Sequence, residues 1–179
     1  MTKKKLATYW FAGCSGCHMS LLDIDERILE VAKLADIVKS PVVDPKEIGE
    51  VDITLVEGAV ASEEHLEEAR LIRERSKIVV SFGDCAVTGN VPSLRNPIPK
   101  EECLKRAYVD LPSNDNPDKV LPSKFISPLL DRVRPLHEAI PVDYVIPGCP
   151  PSADLIFYVL NELLNDRTPS LEKGRLKYG

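Results

Sequence analysis

Two short β-branched runs, residues 51–56 (VDITLV) and 77–82 (KIVVSF), enclose a helical stretch, and this alternation limits the fold more than any other feature of the chain. A run such as VDITLV suits a strand buried on both faces, as in a parallel sheet covered by helices. The stretch between the runs opens at Ser62, a residue suited to an N-cap. Glu63 and Glu64 fill its first turn, with Arg70, Arg73 and Arg75 toward its end. That charge order complements the helix dipole. The alternation continues on either side. Residues 5–11 (KLATYWF) read as a first strand, residues 37–43 contain a second interrupted by Pro41, and residues 144–146 form a fifth. Leu21, Ile24, Ile28, Val31 and Ala35 recur at spacings of three and four, as on one amphipathic helix. A closing helix begins near Ser152, with Leu155, Val159 and Leu163 on one face and Ile156 and Leu160 widening it.

Strands separated by helices predict an α/β fold, a flavodoxin-like doubly wound parallel sheet of order 2-1-3-4-5 with right-handed crossovers and helices on both faces. The 179 residues suit a single domain spanning 1–179. Residues 89–135 depart from the pattern: they hold eight of the fifteen prolines and show little periodicity. They are expected to form a long covering or partner-contacting loop.

The balance of 44% hydrophobic and 28% charged residues is that of an ordinary globular protein. A net charge of −5 leaves no basic surplus for phosphate, so nucleic acid is not an expected partner. No stretch approaches the roughly 18 apolar residues of a membrane span. The apolar run 6–13 near the start is short and leads into cysteines rather than a small-residue cleavage site, and no twin arginine precedes it. The expected location is the cytoplasm, with Lys3, Lys4 and Lys5 as a solvated tail.

Five cysteines in a reducing compartment point to metal ligation, catalysis or plain burial before disulfides. Cys14 and Cys17 follow the first strand, Cys85 (in FGDCAVTG) the fourth and Cys149 (in IPGCPPS) the fifth. Parallel strands end on a common edge, so these four should converge on the rim where open α/β sheets bind ligands. Gly13, Gly16, Gly83 and Gly148 flank them, which lets backbone come close and leaves N–H groups free to bond sulfur. Pro150 and Pro151 stiffen the last loop. A redox C-x-x-C needs two thiols and leaves Cys85 and Cys149 unexplained. Structural zinc usually takes two C-x₂₋₄-C knuckles in a small module, which two lone cysteines on separate strands fit poorly. A four-Cys zinc scaffold nevertheless stands as the alternative from another class. Inert burial does not suit four thiols at strand ends beside glycine. A cubane [4Fe–4S] cluster needs four thiolates at tetrahedral corners, and Cys14, Cys17, Cys85 and Cys149 supply them. Cys103, in the proline-rich segment, reads as a free thiol.

The set Cys14-x-x-Cys17, Gly83-x-Cys85-x-x-x-Gly89 and Gly148-Cys149-Pro150-Pro151 resembles the cluster-binding domain of [NiFe]-hydrogenase small subunits and of the related 20 kDa subunit of NADH:quinone oxidoreductase, over nearly the whole chain. Residues 12–26 (AGCSGCHMSLLDIDE) look like the small subunit of cytoplasmic bidirectional NAD(P)-reducing [NiFe] hydrogenases. The quinone-reductase subunit would show adjacent cysteines, where Ser15 and Gly16 intervene here. Larger uptake-type small subunits carry an export signal and a C-terminal domain with two more clusters, neither of which is expected in this chain.

The resemblance therefore implies one [4Fe–4S] cluster, proximal to the active site. It would relay electrons between the Ni–Fe centre of a large subunit and a diaphorase module with FMN and Fe–S clusters, in the reaction H2 + NAD+ = NADH + H+. The chain would be a subunit of a hydrogen dehydrogenase and not catalytic alone; it has neither paired nickel-type C-x-x-C motifs nor G-x-G-x-x-G. Flavin in this subunit is not expected, because Tyr9, Trp10 and Phe11 are bulky residues before the motif. Glu57 follows the third strand and should reach the same rim, where the resemblance implies proton movement or cluster tuning. His18 is expected to hydrogen-bond near the cluster or to cap or pack its helix. Within the same family, the alternative is a 20 kDa-type cluster subunit of an NADH:quinone oxidoreductase.

Overall fold

The arrangement of apolar residues along the strands decides the layers, and the computed structural model describes them over residues 2–45 and 48–171. The chain runs β1 (Lys4–Trp10), α1 (Gly16–Leu22), α2 (Ile28–Leu34), β2 (Ala35–Lys39), β3 (Val51–Glu57), β4 (Val60–Ser62), α3 (Glu63–Arg75), β5 (Ser76–Phe82), α4 (Asp84–Thr88), α5 (Lys100–Lys105), β6 (Leu129–Arg134), β7 (Tyr144–Ile146) and α6 (Ala153–Leu164). Five strands form one sheet in the order β2-β1-β3-β5-β7, and every pair in it is parallel. Counted over the sheet's own strands this is the doubly wound order 2-1-3-4-5. The short β4 and β6 pair with each other, antiparallel, outside that sheet.

Each face of the sheet has its own core. Leu6, Ile53, Leu55, Val80, Phe82 and Ile146 meet α1, α2 and α6 through Leu21, Val31, Ile156 and Leu160. Ala7, Tyr9, Val56 and Val79 on the opposite face meet Ala69 and Ile72 of α3, with Leu136 and Ile140. Strand side chains alternate in direction, so consecutive apolar residues feed both cores. The two long helices start where their caps allow: the hydroxyl of Ser62 accepts the His65 N–H at 3.2 Å, and that of Ser152 accepts the Leu155 N–H at 3.3 Å.

Three expectations need correcting. The single amphipathic helix over residues 21–35 is broken: α1 stops at Leu22, a 3₁₀ turn occupies Asp25–Arg27, and α2 follows. Asp25 takes φ 58, a left-handed conformation that its short polar side chain tolerates. Ile24 and Val31 still face one core, so periodicity could not show the break, and Ala35 opens β2 instead of closing the helix. Lys3–5 are not a free tail. Lys4 and Lys5 belong to β1; Lys4 donates to the Leu163 carbonyl at 2.9 Å and Lys3 pairs with Asp36 at 3.0 Å.

Residues 89–135 are not one long loop. They contain a 3₁₀ turn at Val91–Arg95, α5, a π-type turn at Arg106–Asp110, and β6. Side chains do much of the tying: Arg95 donates to the Leu130 carbonyl at 2.7 Å, and the Asn96 amide bonds the Val133 backbone at 2.9 and 2.8 Å. Order made by polar side chains leaves no hydrophobic period in the sequence.

Asp52 ties three strands together. Its carboxylate accepts the Lys5 N–H of β1 at 2.8 Å and the Lys77 ammonium of β5 at 2.7 Å. These bonds hold its carboxyl below the ordinary 3.8, the Lys77 hydrogen bond contributing most. A carboxyl lowered by folding adds stability above its unfolded value and loses it as pH falls through the folded value. Asp52→Asn should therefore cost about 0.5–1 kcal/mol at neutral pH, since Lys77 is exposed and the pair is screened. The gap from wild type should close below pH 3.8, and urea unfolding across that range measures it.

Candidate metal centre

The loops after β1, β5 and β7 carry the four cysteines to one edge of the sheet. The first loop leaves alongside the end of β3: Phe11 donates its N–H to the Glu57 carbonyl at 2.8 Å, and Ala12 exchanges two backbone bonds with Ala59 at 3.0 and 2.7 Å. Ser15 then takes a left-handed conformation and α1 begins at Gly16. The Gly16 N–H points at the Cys14 sulfur, 3.4 Å away. Cys17 is the buried member, 7% exposed, and its thiol lies against Gly83. A Cβ at Gly83 would stand 2.1 Å from that sulfur, and Gly83 has φ +82, so any side chain would both collide and strain the backbone.

Cys85 sits in the first turn of α4, and Cys149 follows the end of β7. The two loops are bonded together: Gly83 donates to the Ile146 carbonyl at 2.8 Å, Asp84 to the Gly148 carbonyl at 2.9 Å. Cys14, Cys85 and Cys149 line a common cavity of about 240 Å³ with Gly13, Val91 and Pro92. Cys17 is within electrostatic reach of all three. Burial pushes its thiol well above the ordinary range, and Glu57, Cys85, Cys14 and Cys149 push it further. The Cys85 thiol is raised by burial, then by Cys149 and Cys14, while the Val91 N–H draws it back. Cys17 and Cys85 therefore favour the uncharged thiol, and binding a metal through them would release protons. Cys103 lies on α5 and is not among the residues lining the cavity.

The donor set discriminates between guests. A zinc ion holds its sulfurs at about 2.3 Å, which packs four thiolates nearly into contact. Among the described residues no group of three His, Cys, Asp or Glu side chains is placed to hold a metal ion. The cavity also exceeds one ion, since a water molecule's share of liquid volume is about 30 Å³. Three soft thiols around such a hollow, a fourth in electrostatic reach and the Gly16 N–H aimed at the Cys14 sulfur suit an iron–sulfur cluster better than a lone cation.

Glu57 reaches the rim, as its position after the third strand predicts, but it is 1% exposed and its carboxylate is fully engaged. One oxygen accepts the Cys17 N–H at 3.3 Å; the other accepts the His18 N–H at 2.9 Å and the His18 Nδ1. His18 Nε2 reaches the Thr8 hydroxyl at 2.9 Å, and Thr8 donates to Ser40 at 2.7 Å. His18 therefore does more than pack its helix: it orients the carboxylate that holds the C-x-x-C turn. Of the bulky triplet, Tyr9 and Phe11 enter the α3-side core, whereas Trp10 lies half-exposed near the His18 ring.

Asp84 and Thr8 also support this edge. Asp84 is 3% exposed, and its carboxylate accepts the Gly148 N–H at 2.6 Å. An acid directly before one of the four cysteines is itself a signal, because such a buried group is tolerated only where donors satisfy it.

Comparison with known proteins adds the following. The family model of the NADH ubiquinone oxidoreductase 20 Kd subunit matches residues 14–163. The chain is 43% identical over 177 residues to a subunit of the F420-non-reducing hydrogenase of Methanothermobacter marburgensis, covering 97% of this chain and 58% of that protein. It spans about 58% of the length of the first curated relatives it matches. It is 41% identical over 184 residues to the delta subunit of the NAD-reducing hydrogenase HoxS of Cupriavidus necator, covering 98% of this chain and 86% of that one. A chain in the crystal structure of NAD+-reducing [NiFe]-hydrogenase in the H2-reduced state superposes with a TM-score of 0.95 at 38% identity, covering 99% of this chain and 100% of that chain.

The contact between Gly83 and the Cys17 sulfur yields a direct test. Gly83→Ala should destabilise the protein by about 1–3 kcal/mol through overpacking and strain. It should also lower the iron retained per chain after anaerobic reconstitution. Urea unfolding and iron analysis of the variant beside wild type check both effects.

Proposed function

This chain belongs to the NADH ubiquinone oxidoreductase 20 Kd subunit family, and on that basis we propose that it is the electron-transfer small subunit of a soluble NAD-reducing [NiFe] hydrogenase. The observation that carries the reading is the meeting of Cys14, Cys85 and Cys149 around one cavity with Cys17 in electrostatic reach. Likeness to the delta subunit of the Cupriavidus enzyme supports the choice of hydrogenase.

In this reading Cys14, Cys17, Cys85 and Cys149 hold one [4Fe–4S] cluster. Such a cluster supplies single-electron transfer, at a potential set by hydrogen bonds to sulfur and by burial. The chain's own part is to hold the sulfurs, to aim the Gly16 N–H at that of Cys14, and to exclude water around Cys17. Glu57 tunes the site by fixing the backbone between Cys17 and His18. Cys14 and Cys149 remain exposed, which suits a site completed by another protein. Trp10 at the end of β1, Met19 of α1, and Val91 and Leu94 of the turn after α4 are exposed apolar residues. Exposed apolar side chains of this kind suit an obligate interface, here with the large subunit that carries the Ni–Fe centre. FMN and further Fe–S clusters belong to diaphorase partners. No described helix is long and apolar enough to cross a membrane, consistent with the proposed cytoplasmic complex.

The family model's description favours one rival, a cluster subunit of an NADH:quinone oxidoreductase. Nickel, iron and flavin counted in the isolated native complex separate the two, because the quinone reductase contains no nickel. Cys85→Ser or Cys149→Ser should reduce hydrogen-dependent NAD+ reduction more than about 100-fold, beyond the 10–100-fold common for changes outside the ligand set. The large subunit should still be made. Unchanged rates in both variants contradict the ligand assignment.

A further inference from the structure

We infer that Asp84 is a positioning residue that sets Cys149 against Cys85 before any metal binds. The inference rests on the reading of the four thiols as a cluster site. The β5–β7 ladder is short, and its last paired residues are Phe82 and Ile146. Beyond it the sheet offers no further rung, yet both ligand loops lie there. Gly83 adds one bond, to the Ile146 carbonyl at 2.8 Å. Asp84 then takes over from the ladder: its N–H donates to the Gly148 carbonyl at 2.9 Å and its Oδ1 accepts the Gly148 N–H at 2.6 Å. Both polar backbone groups of Gly148 are thus bonded to one residue.

Cys85 is the next residue after Asp84, and Cys149 the next after Gly148. Whatever fixes the first pair fixes where the two thiols start. Gly148 needs such a hold because it sits at φ +135, where a Cβ would lie 2.6 Å from the Pro151 Cα. Ser20 of α1 donates to the Pro151 carbonyl at 2.5 Å, joining the helix that carries Cys17 to the Cys149 loop. With Glu57 holding the Cys17 turn to β3, the three loops form a closed circuit of hydrogen bonds in which Asp84 spans the seam between β5 and β7. A buried carboxylate beside four sulfurs is otherwise unfavourable, so its place there is explained by the donor it satisfies.

The test uses the full chain, with and without iron, in wild type, Asp84→Ala and Asp84→Asn. Amide exchange by NMR on the iron-free chain reads the clamp directly. Asp84→Ala should speed exchange at Gly148 by about tenfold or more relative to wild type, as one lost hydrogen bond allows, with the Gly83 amide unchanged. Asn keeps an acceptor but loses the charge-assisted bond, so Asp84→Asn should fall between the two. If Asp84→Ala does not fold, a faster Gly148 amide in Asp84→Asn supports the clamp, and an unchanged one overturns it. On the iron-loaded chain, Asp84→Ala should retain less iron and shift the cluster's midpoint potential, with Asp84→Asn closer to wild type. Equal iron and an unshifted potential in Asp84→Ala overturn the positioning role. Wild type that binds no iron while Gly148 stays protected by Asp84 defeats the cluster reading and leaves the clamp standing.

Discussion

Parallel pairing is the constraint from which the rest of this structure follows. Five strands that run the same way must finish on the same edge, and the loops after β1, β5 and β7 have nowhere else to begin. Cysteines far apart in sequence are brought to one edge by the sheet itself. The crossovers that parallel pairing demands also supply the cover, α1, α2 and α6 on one face and α3 on the other. The loops that carry the cysteines thus begin where the sheet ends and inherit their positions from it.

Hydrogen bonds finish what the sheet begins. Two acids, Glu57 and Asp84, are buried at an edge rich in sulfur, where uncompensated charge would be disfavoured. Both are spent on backbone donors: Glu57 on Cys17 and His18, Asp84 on Gly148. These bonds cross between loops rather than within them, so each one fixes a distance that the covalent chain leaves free. His18 is held in turn by Thr8 and Ser40, which carries the support back to β1 and the end of β2. Preorganisation of this kind reduces the ordering left to be done when a guest binds.

Much of this was legible in the sequence. The β-branched runs, the cap at Ser62 and the helical spacing after Ser152 located strands and helices, and strand–helix alternation predicted the sheet order that is observed. The common edge for the four cysteines followed from that order alone. Other features lay beyond such reasoning for physical reasons. The break at Asp25 leaves the apolar face intact, so the helical period runs through it. The ordering of residues 89–135 depends on Arg95 and Asn96 side chains that bond to backbone far along the chain. Glu57 could be placed at the rim from its strand, but its partners could not be named, because they come from another loop. Asp84 shows in the sequence only as an acid directly before Cys85, with no periodicity to mark it.

The central claim is that four thiols from three loops enclose an iron cubane. Anomalous diffraction from crystals of the iron-loaded chain, recorded on both sides of the iron absorption edge, addresses it most directly. The account predicts a compact iron signal bounded by the sulfurs of Cys14, Cys17, Cys85 and Cys149. A signal at the zinc edge in that place, or any one of the four sulfurs turned away from the iron, would contradict it.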